Sequence, residues 1–501
     1  MDIVATFVPA AGAHSTALAA ELTRPPAGAT VVELRADLLP PDLELAPLVA
    51  ACPRPVVLTL RSRAEGGRAT DDPSVRRRFF ERVAALPVMA FDLEAARDLD
   101  LVDRPLPRDR VVLSTHPSVV PADLEAQARV LLERGTRFVK LAPAVDGLDD
   151  VLEVLRVAGA LGGEPVSQRR AVVLATGEAG RAIRLLGPLL AAPLAYAAWS
   201  PDRVAAPGQY TPEELLALVG HLAGAPGRVF AVLGRPASRS LSPWMHNAAY
   251  RALGLPDLFV SLEVANSDEL GKLLQPAGLT ALDRVGLRAG GFAVTMPWKE
   301  VAWGYCSVVA PRTARLRAVN TVLPRRGKVV GDCTDIDGIT GALLAAQVRV
   351  GGGLAVVLGA GGSARAAVVA LQEAGCKVAV AGRDRSKVAA MAGELGVEVI
   401  EPADAGRCIA AVNATPAGLD GTSSDLLDSL RLAPSAAVVD LPYGPGPTRL
   451  QMLAKRNAWK YVGGREVLLW QGVAQLAAMT GVAPSVRVMA SALGLVVEED
   501  A

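Results

Sequence analysis

Lysine is almost absent from the first half of this sequence. Lys140 is the only one before Lys272, and arginine carries every other positive side-chain charge in that stretch. A guanidinium stays protonated and delocalised, so it cannot serve as an amine nucleophile, and amine chemistry there falls to Lys140. The five cysteines, Cys52, Cys306, Cys333, Cys376 and Cys408, are odd in number, scattered and without a CxxC pair. That excludes a disulfide framework and a thiolate zinc site, so no metal is expected. Charge of either sign is not in excess: the net charge is +1. With no basic block and no aromatic stacking platform, nothing draws the chain to nucleic acid or an anionic membrane. Apolar runs are broken by charges and glycines before they reach spanning length. The start, MDIVATFVPA, lacks the basic segment and long apolar core of a signal peptide. The expectation is a soluble cytoplasmic protein that acts on small molecules, with oligomerisation possible.

At 501 residues the chain is too long for one core. Its first part repeats short β-rich runs with helical segments between them. The runs are Ile3–Phe7, Val31–Leu34, Val56–Leu60, Val88–Asp92, Val111–Ser114, Phe138–Leu141, Val172–Ala175 and Leu194–Ala197. Eight strands alternating with helices over about 220 residues is the count and size of a (β/α)8 TIM barrel. An open doubly wound sheet is the competing architecture. Polar residues gather where these strands end: Glu33, Arg35 and Asp37, then Arg61 and Glu65, then Asp92 and Glu94, then His116, with Lys140 on the sixth strand. In a barrel those ends converge on one mouth.

Lys140 lies in the apolar run FVKLA. Desolvation there disfavours the charged form and would leave an amine able to form a Schiff base. The alternative is a strand-end lysine whose stem packs while its head reaches water. His116, one strand away, favours the first reading because it is placed to move protons. Glu65 could hold its tautomer. His14, in the loop after the first strand, reads as solvated. Arg61 and Arg184 are candidates for a two-point carboxylate clamp.

These pieces resemble the type I 3-dehydroquinate dehydratases over residues 1 to about 220. The matching motifs are Glu33-Leu34-Arg35-Ala36-Asp37, Thr59-Leu60-Arg61, Glu65-Gly66-Gly67, Ser114-x-His116, Val139-Lys140, Arg184-Leu185-x-Gly187 and Ala206-Pro207-Gly208-Gln209. The resemblance implies a Schiff base between Lys140 and the C3 ketone of 3-dehydroquinate, with His116 removing the C2 proton and helping the C1 hydroxyl leave. It puts the substrate carboxylate on Arg184 and the ring on Glu33, Arg35, Arg61 and Gln209. One departure is Ala205, where the family carries Ser or Thr. A lid hydrogen bond worth about a kcal/mol is therefore expected to be missing.

In the second half, Ser240-Leu-Ser242-Pro243 puts two hydroxyls in a tight loop before a helix, which suits either an anion or simple N-capping. His246 on that helix reads as structural. Thr295-Met-Pro297-Trp-Lys299, Asn320-Thr321 and Thr334-Asp335 bring an Asn, a Lys and an Asp in separate loops, able to converge on a polyol. Lys299 and Asp335 read either as an ion pair or as a proton-transfer pair. The run Leu354–Leu358 leads into Gly359-Ala-Gly361-Gly362-Ser363-Ala364 and a helical segment, the dinucleotide-binding turn. The next strand, Lys377–Ala381, ends in Arg383-Asp384-Arg385-Ser386-Lys387. Arg383 and Lys387 favour a 2′-phosphate, hence NADP, and Asp384 keeps NAD open.

From about Arg228 onward the chain resembles shikimate dehydrogenase. Besides the motifs above it carries Asn413-Ala-Thr415-Pro416-x-Gly418, Asp440-Leu-Pro-Tyr443-x-Pro445 and Leu468-x-x-Gln471. The resemblance implies NADPH-dependent reduction of 3-dehydroshikimate. Ser240 and Ser242 would bind the carboxylate, and Thr295, Asn320, Asp335 and Gln471 the hydroxyls. Lys299 with Asp335 would protonate the carbonyl oxygen, and Asn413, Thr415 and Tyr443 would line the nicotinamide side. Ala293 and Cys333 each stand where the family has Asn, expected to remove a polar group beside the site. The expected layout is α/β throughout: a barrel over 1–222, a substrate lobe over 228–340, a Rossmann NADP lobe over 341–464 and C-terminal helices over 465–501 that return to the substrate lobe. The ketone made by the first half is the substrate of the second, which makes consecutive biosynthetic steps toward shikimate the leading expectation. Catabolic quinate or shikimate oxidation and a catalytically dead ligand-sensing fusion are the alternatives.

Overall fold

Every strand of the first half alternates its faces, and the pairing register turns that alternation into a lumen. The computed structural model describes residues 2–163, 168–190 and 192–497. Its first eight strands are β1 (Asp2–Phe7), β2 (Val31–Arg35), β3 (Val56–Thr59), β4 (Ala90–Glu94), β5 (Val111–Thr115), β6 (Phe138–Leu141), β7 (Ala171–Val173) and β8 (Leu194–Ala198). They form one parallel sheet in the order β7-β6-β5-β4-β3-β2-β1-β8, so β1 joins the two ends of the sequence of strands. Among the described residues no ladder links β7 to β8, and the barrel is nearly closed rather than fully hydrogen-bonded. The register pairs Thr6 with Glu33, Thr59 with Asp92 and Ser114 with Lys140. One residue pair deeper, Val4, Val31, Val57, Val112 and Val172 fill the floor of the lumen. Because side chains alternate with period two, β1, β2, β3 and β5 each place an apolar residue below and a polar one above on the same face, whereas β7 follows Val172 with the apolar Leu174. Outward-facing residues such as Phe7, Leu34, Leu58, Phe91 and Leu113 pack under the surrounding helices.

The expected strands are all present. The fourth differs most: Val88 and Met89 precede it, and it runs on to Glu94, so Asp92 and Glu94 both project from it. After the last strand a helix runs from Pro212 to Val219. It opens with a Thr211–Glu214 capping box, and a Cβ at Gly220 would lie 2.5 Å from the Leu216 carbonyl oxygen.

The chain divides into two compact units: Met1–Gly227 with Val260–Ala265 and Ala281–Leu287, and the remainder. The second half holds two sheets. The first joins β9 (Arg228–Gly234), β10 (Asp257–Glu263), β11 (Ala289–Val294), β12 (Val308–Val309), β13 (Thr321–Arg325) and β14 (Lys328–Asp332) in the order β10-β9-β11-β13-β14-β12. The second joins β15 (Leu354–Leu358), β16 (Lys377–Ala381), β17 (Glu398–Val399), β18 (Cys408–Asn413), β19 (Ala437–Asp440) and β20 (Lys460–Val462), all parallel, in the order β17-β16-β15-β18-β19-β20. That is the 3-2-1-4-5-6 order of a Rossmann sheet, whose ligand crevice opens where the order reverses, beside β15. The long helix Gly464–Thr480 closes the second half by packing on the helix Asp335–Ala345. A Cβ on Gly338 would stand 2.7 Å from that of Gln471, and one on Gly341 2.8 Å from the Trp470 ring. The two glycines, one helical turn apart, let these helices touch backbone to side chain, which is what brings Gln471 to the substrate lobe. The same helix contributes Leu468, Leu469, Leu476 and Met479 to a core shared with Phe230, Val232 and Met245.

Candidate active sites

At the mouth of the barrel a cavity of about 320 Å³ is lined by Glu33, Arg35, Arg61, Glu65, His116, Lys140, Arg184, Tyr196, Ala205 and Gln209. The residues of this half given a candidate role, Glu33, Arg35, Arg61, Glu65, His116, Lys140, Arg184 and Gln209, thus meet at one place. Lys140 is buried, paired with Asp92 and 3.8 Å from Glu33. The ring of Tyr196 lies 4.5 Å below its ammonium. Glu33 accepts from the hydroxyls of Thr6 and Thr59, both at 2.8 Å. Asp92 accepts from Ser114 at 2.6 Å and from Arg61 at 2.9 Å. Burial alone would raise the Asp92 carboxyl, but Arg61 and Lys140 outweigh it and hold it well below the usual range. Tyr196 is a functional candidate that reading residue by residue missed, and Asp92, placed at the mouth by its strand end, was given no role there. The signal was present in the period-two spacing of Ala90, Asp92 and Glu94, which puts both carboxylates on the lumen face.

His116 hydrogen-bonds Glu65 through Nδ1 at 2.8 Å. Burial, helped by the nearby charges of Arg61 and Lys140, pushes the imidazole well below its ordinary pKa, so the ring is neutral at neutral pH. The Glu65 carboxyl is pushed up to about 7, chiefly by burial and by Glu94 beside it. While Glu65 is ionised it accepts from Nδ1–H, which leaves Nε2 with its lone pair free to act as base.

The two arginines proposed as clamps separate. Arg61 is buried and spent on the protein: it reaches Glu65 and Glu94 at 3.2 Å, Ser114 at 3.1 Å and Asp92 at 2.9 Å. It organises carboxylates, and a clamp role for it is corrected on that ground. Arg184 is equally buried, yet its Nε and one terminal nitrogen have no hydrogen-bond partner. Burial lowers its pKa to about 10. An orphaned buried guanidinium costs several kcal/mol unless an anion completes it, about the penalty of any uncompensated buried charge. Arg35 lines the cavity while gripping Asp37 through two nitrogens at 2.8 Å. Gln209 accepts from the backbone N–H of Ala205 at 3.0 Å and of Ala206 at 3.2 Å. The loop carrying Ala205 is therefore tied by backbone, independently of any hydroxyl at that position. His14 is exposed, as expected.

A second cavity of about 160 Å³ lies wholly in the second unit, lined by Ser240, Ser242, Thr295, Lys299, Asn320, Asp335, Ser363, Tyr443 and Gln471. Lys299 Nζ donates to Asp335 and, at 2.9 Å, to Ser363 Oγ. The Asn320 amide donates to Asp335 at 2.8 Å and to Gln471 at 3.1 Å, and its oxygen accepts from Thr334 N at 2.8 Å. Gln475, not singled out from sequence, fixes the same strand end by donating to the Asn320 carbonyl at 3.1 Å. His246 is structural as expected: fully buried, bonded to the Ser242 carbonyl at 2.9 Å and stacked 4.2 Å from Phe259.

Two expectations about the cofactor side, for Asn413 and Ala364, need correction. Ser363 and Tyr443 line the second cavity, with Tyr443 bonded to Ser240. Asn413 is fully buried and holds its loop from beneath, donating to Asp440 at 2.8 Å and accepting from Thr415 Oγ1 at 2.7 Å. Ala364 is in the core between helix and sheet. Cys333 is likewise fully buried among apolar residues, so it removes nothing from the cavity wall, whereas Ala293 does line it. The dinucleotide turn itself suits a pyrophosphate. Gly359 has φ +122°, closed to ordinary side chains, and nothing lies within 4 Å of where a Gly361 Cβ would be. The helix Gly362–Glu373 starts without a side-chain cap, leaving its first N–H groups for an anion. At the end of β16, Asp384 is taken up as N-cap, accepting from Lys387 N at 3.0 Å, while Arg383 is exposed.

A family model described as type I 3-dehydroquinase matches residues 6–224, and one described as the shikimate dehydrogenase substrate binding domain matches residues 232–322. The shikimate dehydrogenase (NADP(+)) of Carboxydothermus hydrogenoformans is 33% identical over 279 residues, covering 54% of this chain and 97% of that protein. The chain belongs to the shikimate dehydrogenase family, joined to a type I 3-dehydroquinase. The dehydrogenase half is also 36% identical over 255 residues to the Thermus thermophilus shikimate dehydrogenase (NADP(+)), covering 51% of this chain and 93% of that protein. Both halves together align with the chloroplastic bifunctional 3-dehydroquinate dehydratase/shikimate dehydrogenase of Arabidopsis thaliana, 27% identical over 488 residues, 91% of this chain and 78% of that protein. Among solved structures, the Thermus thermophilus shikimate 5-dehydrogenase with NADP(H) and shikimate covers 53% of this chain and 98% of its own at 35% identity, with a TM-score of 0.48.

Proposed function

We propose that the chain is a bifunctional shikimate-pathway enzyme: it dehydrates 3-dehydroquinate to 3-dehydroshikimate through a Schiff base and then reduces the product to shikimate with NADPH. We assign the first step to residues 1–222 and the second to a substrate lobe over 228–340, a nucleotide lobe over 341–464 and the returning helices over 465–501. The observation that carries the reading is the orphaned Arg184 guanidinium in the same cavity as Lys140 and the His116–Glu65 pair. It fits a substrate with both a carboxylate and a ketone.

In the first site Arg184 receives the carboxylate and turns the ketone toward Lys140. Asp92 and Glu33 hold the Lys140 ammonium, which sheds a proton before its nitrogen attacks the carbonyl carbon. The carbonyl oxygen leaves as water and an iminium remains. That iminium draws electrons from C2, and His116 Nε2 removes the C2 proton. The same ring then protonates the departing C1 hydroxyl, and water hydrolyses the imine to release product and free Lys140. In the second site Ser240 and Ser242, with Tyr443 behind Ser240, receive the carboxylate, and Asn320, Thr295 and Gln471 face the ring hydroxyls. Lys299, held by Asp335 and Ser363, gives a proton to the carbonyl oxygen. NADPH, when bound, supplies the hydride. Its pyrophosphate would rest at Gly359–Gly362 and its 2′-phosphate at Arg383 and Lys387, since Asp384 is committed to capping. Cytoplasmic location and the lack of nucleic-acid or membrane partners remain part of this reading, supported by the net charge of +1; no helix among the described residues is long and apolar enough to cross a membrane.

Borohydride trapping with 3-dehydroquinate, followed by peptide mass mapping, tests the dehydratase. The expected adduct is on Lys140; an adduct elsewhere, or none, overturns the mechanism. Arg184→Met is expected to lower kcat/KM by about 30- to 1000-fold, the worth of a desolvated charge-assisted contact, without lowering the melting temperature, because it removes a buried charge that lacks a partner.

A further inference from the structure

Outside the lumen of the barrel lies a cleft of about 550 Å³ that neither reaction uses. Its floor is apolar, formed by Leu39, Leu43, Leu45 and Leu60 together with Pro40 and Pro41. One wall is a single face of the helix Pro73–Val83. Val75, Arg78, Phe79 and Arg82 recur at i, i+3, i+4 and i+7 and all line the cleft. Arg68 faces it from the opposite loop.

The charges of this helix are divided unevenly. Arg76 points into the protein and is gripped by Asp98 at 2.8 and 2.6 Å. Arg77 pairs with Asp100 and lies 3.9 Å from Glu81. Arg78 and Arg82, on the cleft face, have no carboxylate at ion-pairing distance among the described residues, and neither does the side chain of Arg68. Two like charges at i and i+4 repel on an isolated helix. The one acid in the cleft, Asp37, is already neutralised by Arg35 and by the N–H groups of Arg61 and Arg68, at 3.3 and 3.1 Å. The cleft therefore presents three cations over an apolar floor, with Arg82 set 5.7 Å over the Phe79 ring.

We propose that this cleft binds a small ring carboxylate, an aromatic or alicyclic body bearing one oxyanion, and that the dehydratase site senses its occupancy. The apolar floor takes the ring, and the guanidiniums take the carboxylate in two-point fashion. The connection to catalysis is the loop from Leu60 to Thr70. Its outer side, Leu60, Arg68, Ala69 and Thr70, is cleft wall. Its inner side carries Glu65, which holds His116, and Arg61, which holds Glu65. The two sides are locked together: Ala69 N donates to the Arg61 carbonyl and Arg63 N to the Ala69 carbonyl, both at 3.0 Å. Asp37 ties the backbone N–H groups of Arg61 and Arg68 to one carboxylate. A ligand drawing on Arg68 therefore loads the strand end from which Arg61 projects. Binding stands independently of the proposed reaction; the coupling rests on it.

The test uses 2-naphthoate as probe on the full chain, by isothermal titration and by its effect on dehydration of 3-dehydroquinate. Saturable binding is expected, with the neutral 2-naphthamide binding at least about tenfold more weakly. Arg78→Gln/Arg82→Gln is expected to weaken 2-naphthoate by about tenfold or more while leaving basal dehydratase turnover within about twofold, since both side chains are exposed and distant from the lumen. Bound 2-naphthoate is expected to change kcat with KM for 3-dehydroquinate unchanged. No saturable binding, binding untouched by the double variant, or inhibition strictly competitive with substrate would overturn the site. Binding of poly-glutamate in place of 2-naphthoate would overturn the small-molecule occupant. Normal binding with no change in kcat would overturn the coupling. Wild-type borohydride trapping at Lys140, run alongside, separates each of these from failure of the dehydratase reading itself.

Discussion

Glu65 decides which nitrogen of His116 carries the hydrogen. Around its carboxyl stand Arg61, Arg97 and His116, with Glu94 and Asp92 close enough to oppose its charge. Burial and the neighbouring acids push it up to about 7. Only the ionised form accepts from Nδ1–H. Once protonated, Glu65 donates to Nδ1 and leaves the hydrogen on Nε2, so the base is lost. Dehydratase kcat/KM is therefore expected to fall as pH drops through about 7. Arg97 holds the other Glu65 oxygen at 3.2 Å and favours the ionised form. Arg97→Met is expected to move the acid limb up by about one unit, the effect of removing an adjacent opposite charge, with KM little changed and partial rescue by Arg97→Lys. A pH–rate profile unchanged in the variant would show that Arg97 is only a scaffold. Of these residues, His116 and Glu65 were legible in the sequence because scarce residue types at strand ends draw attention. Arg97 was not, because it sits in an arginine-rich half where its partners are set only by folding.

At the scale of elements, period-two alternation did most of the organising. Strands β2 to β6 each carry an apolar residue and then a polar one on the same face, so the lumen divides into a dry floor and a charged mouth. That much follows from spacing alone. The helix pair of the dehydrogenase does not. Gly338 and Gly341 look like ordinary helical glycines, at a cost of about a kcal/mol each relative to alanine, until the C-terminal helix is laid against them. Gly338→Ala would drive a Cβ to 2.7 Å from that of Gln471 and 2.8 Å from the Val467 carbonyl oxygen. The cost is expected to be about 1–3 kcal/mol of stability, as for other overpacked contacts. Because the backbone cannot yield freely, Gln471 should shift, and KM for 3-dehydroshikimate should rise while Lys140 trapping is unaffected. Thermal melts and steady-state NADPH oxidation check both effects. Likewise Gly362 reads as a phosphate-loop glycine, but its Cβ would lie 2.9 Å from that of Lys299. It also admits Lys299.

For the whole molecule, each site draws its side chains from one unit: Thr6 to Gln209 for the dehydratase, Val232 to Gln471 for the dehydrogenase. Among the described residues, no polar group lines both cavities. Lys299→Ala is therefore expected to lower NADPH-dependent turnover by about 100- to 10,000-fold, the usual worth of a general acid, with Lys140 trapping unchanged. Lys140→Ala should do the reverse. Loss of both activities in either variant, with the fold intact by circular dichroism, would show that the sites depend on one another.

The sequence by itself determined the architecture and the principal chemistry. Strand spacing, a lone lysine and the Gly359-to-Ala364 turn are local features, and local features survive in one dimension. Tertiary structure decided how charge is shared. Arg61 and Arg184 are the same residue type near the same mouth, yet one is spent on four protein partners and the other has two buried nitrogens without a hydrogen-bond partner. Lys140 proved to be paired with Asp92 instead of merely desolvated. Tyr443 and Ser363 line one cavity with Ser240 and Lys299, and Asn413 lies buried beneath its loop. Ion pairing depends on distances of a few ångströms between strands far apart in the chain, and only the folded register sets those distances.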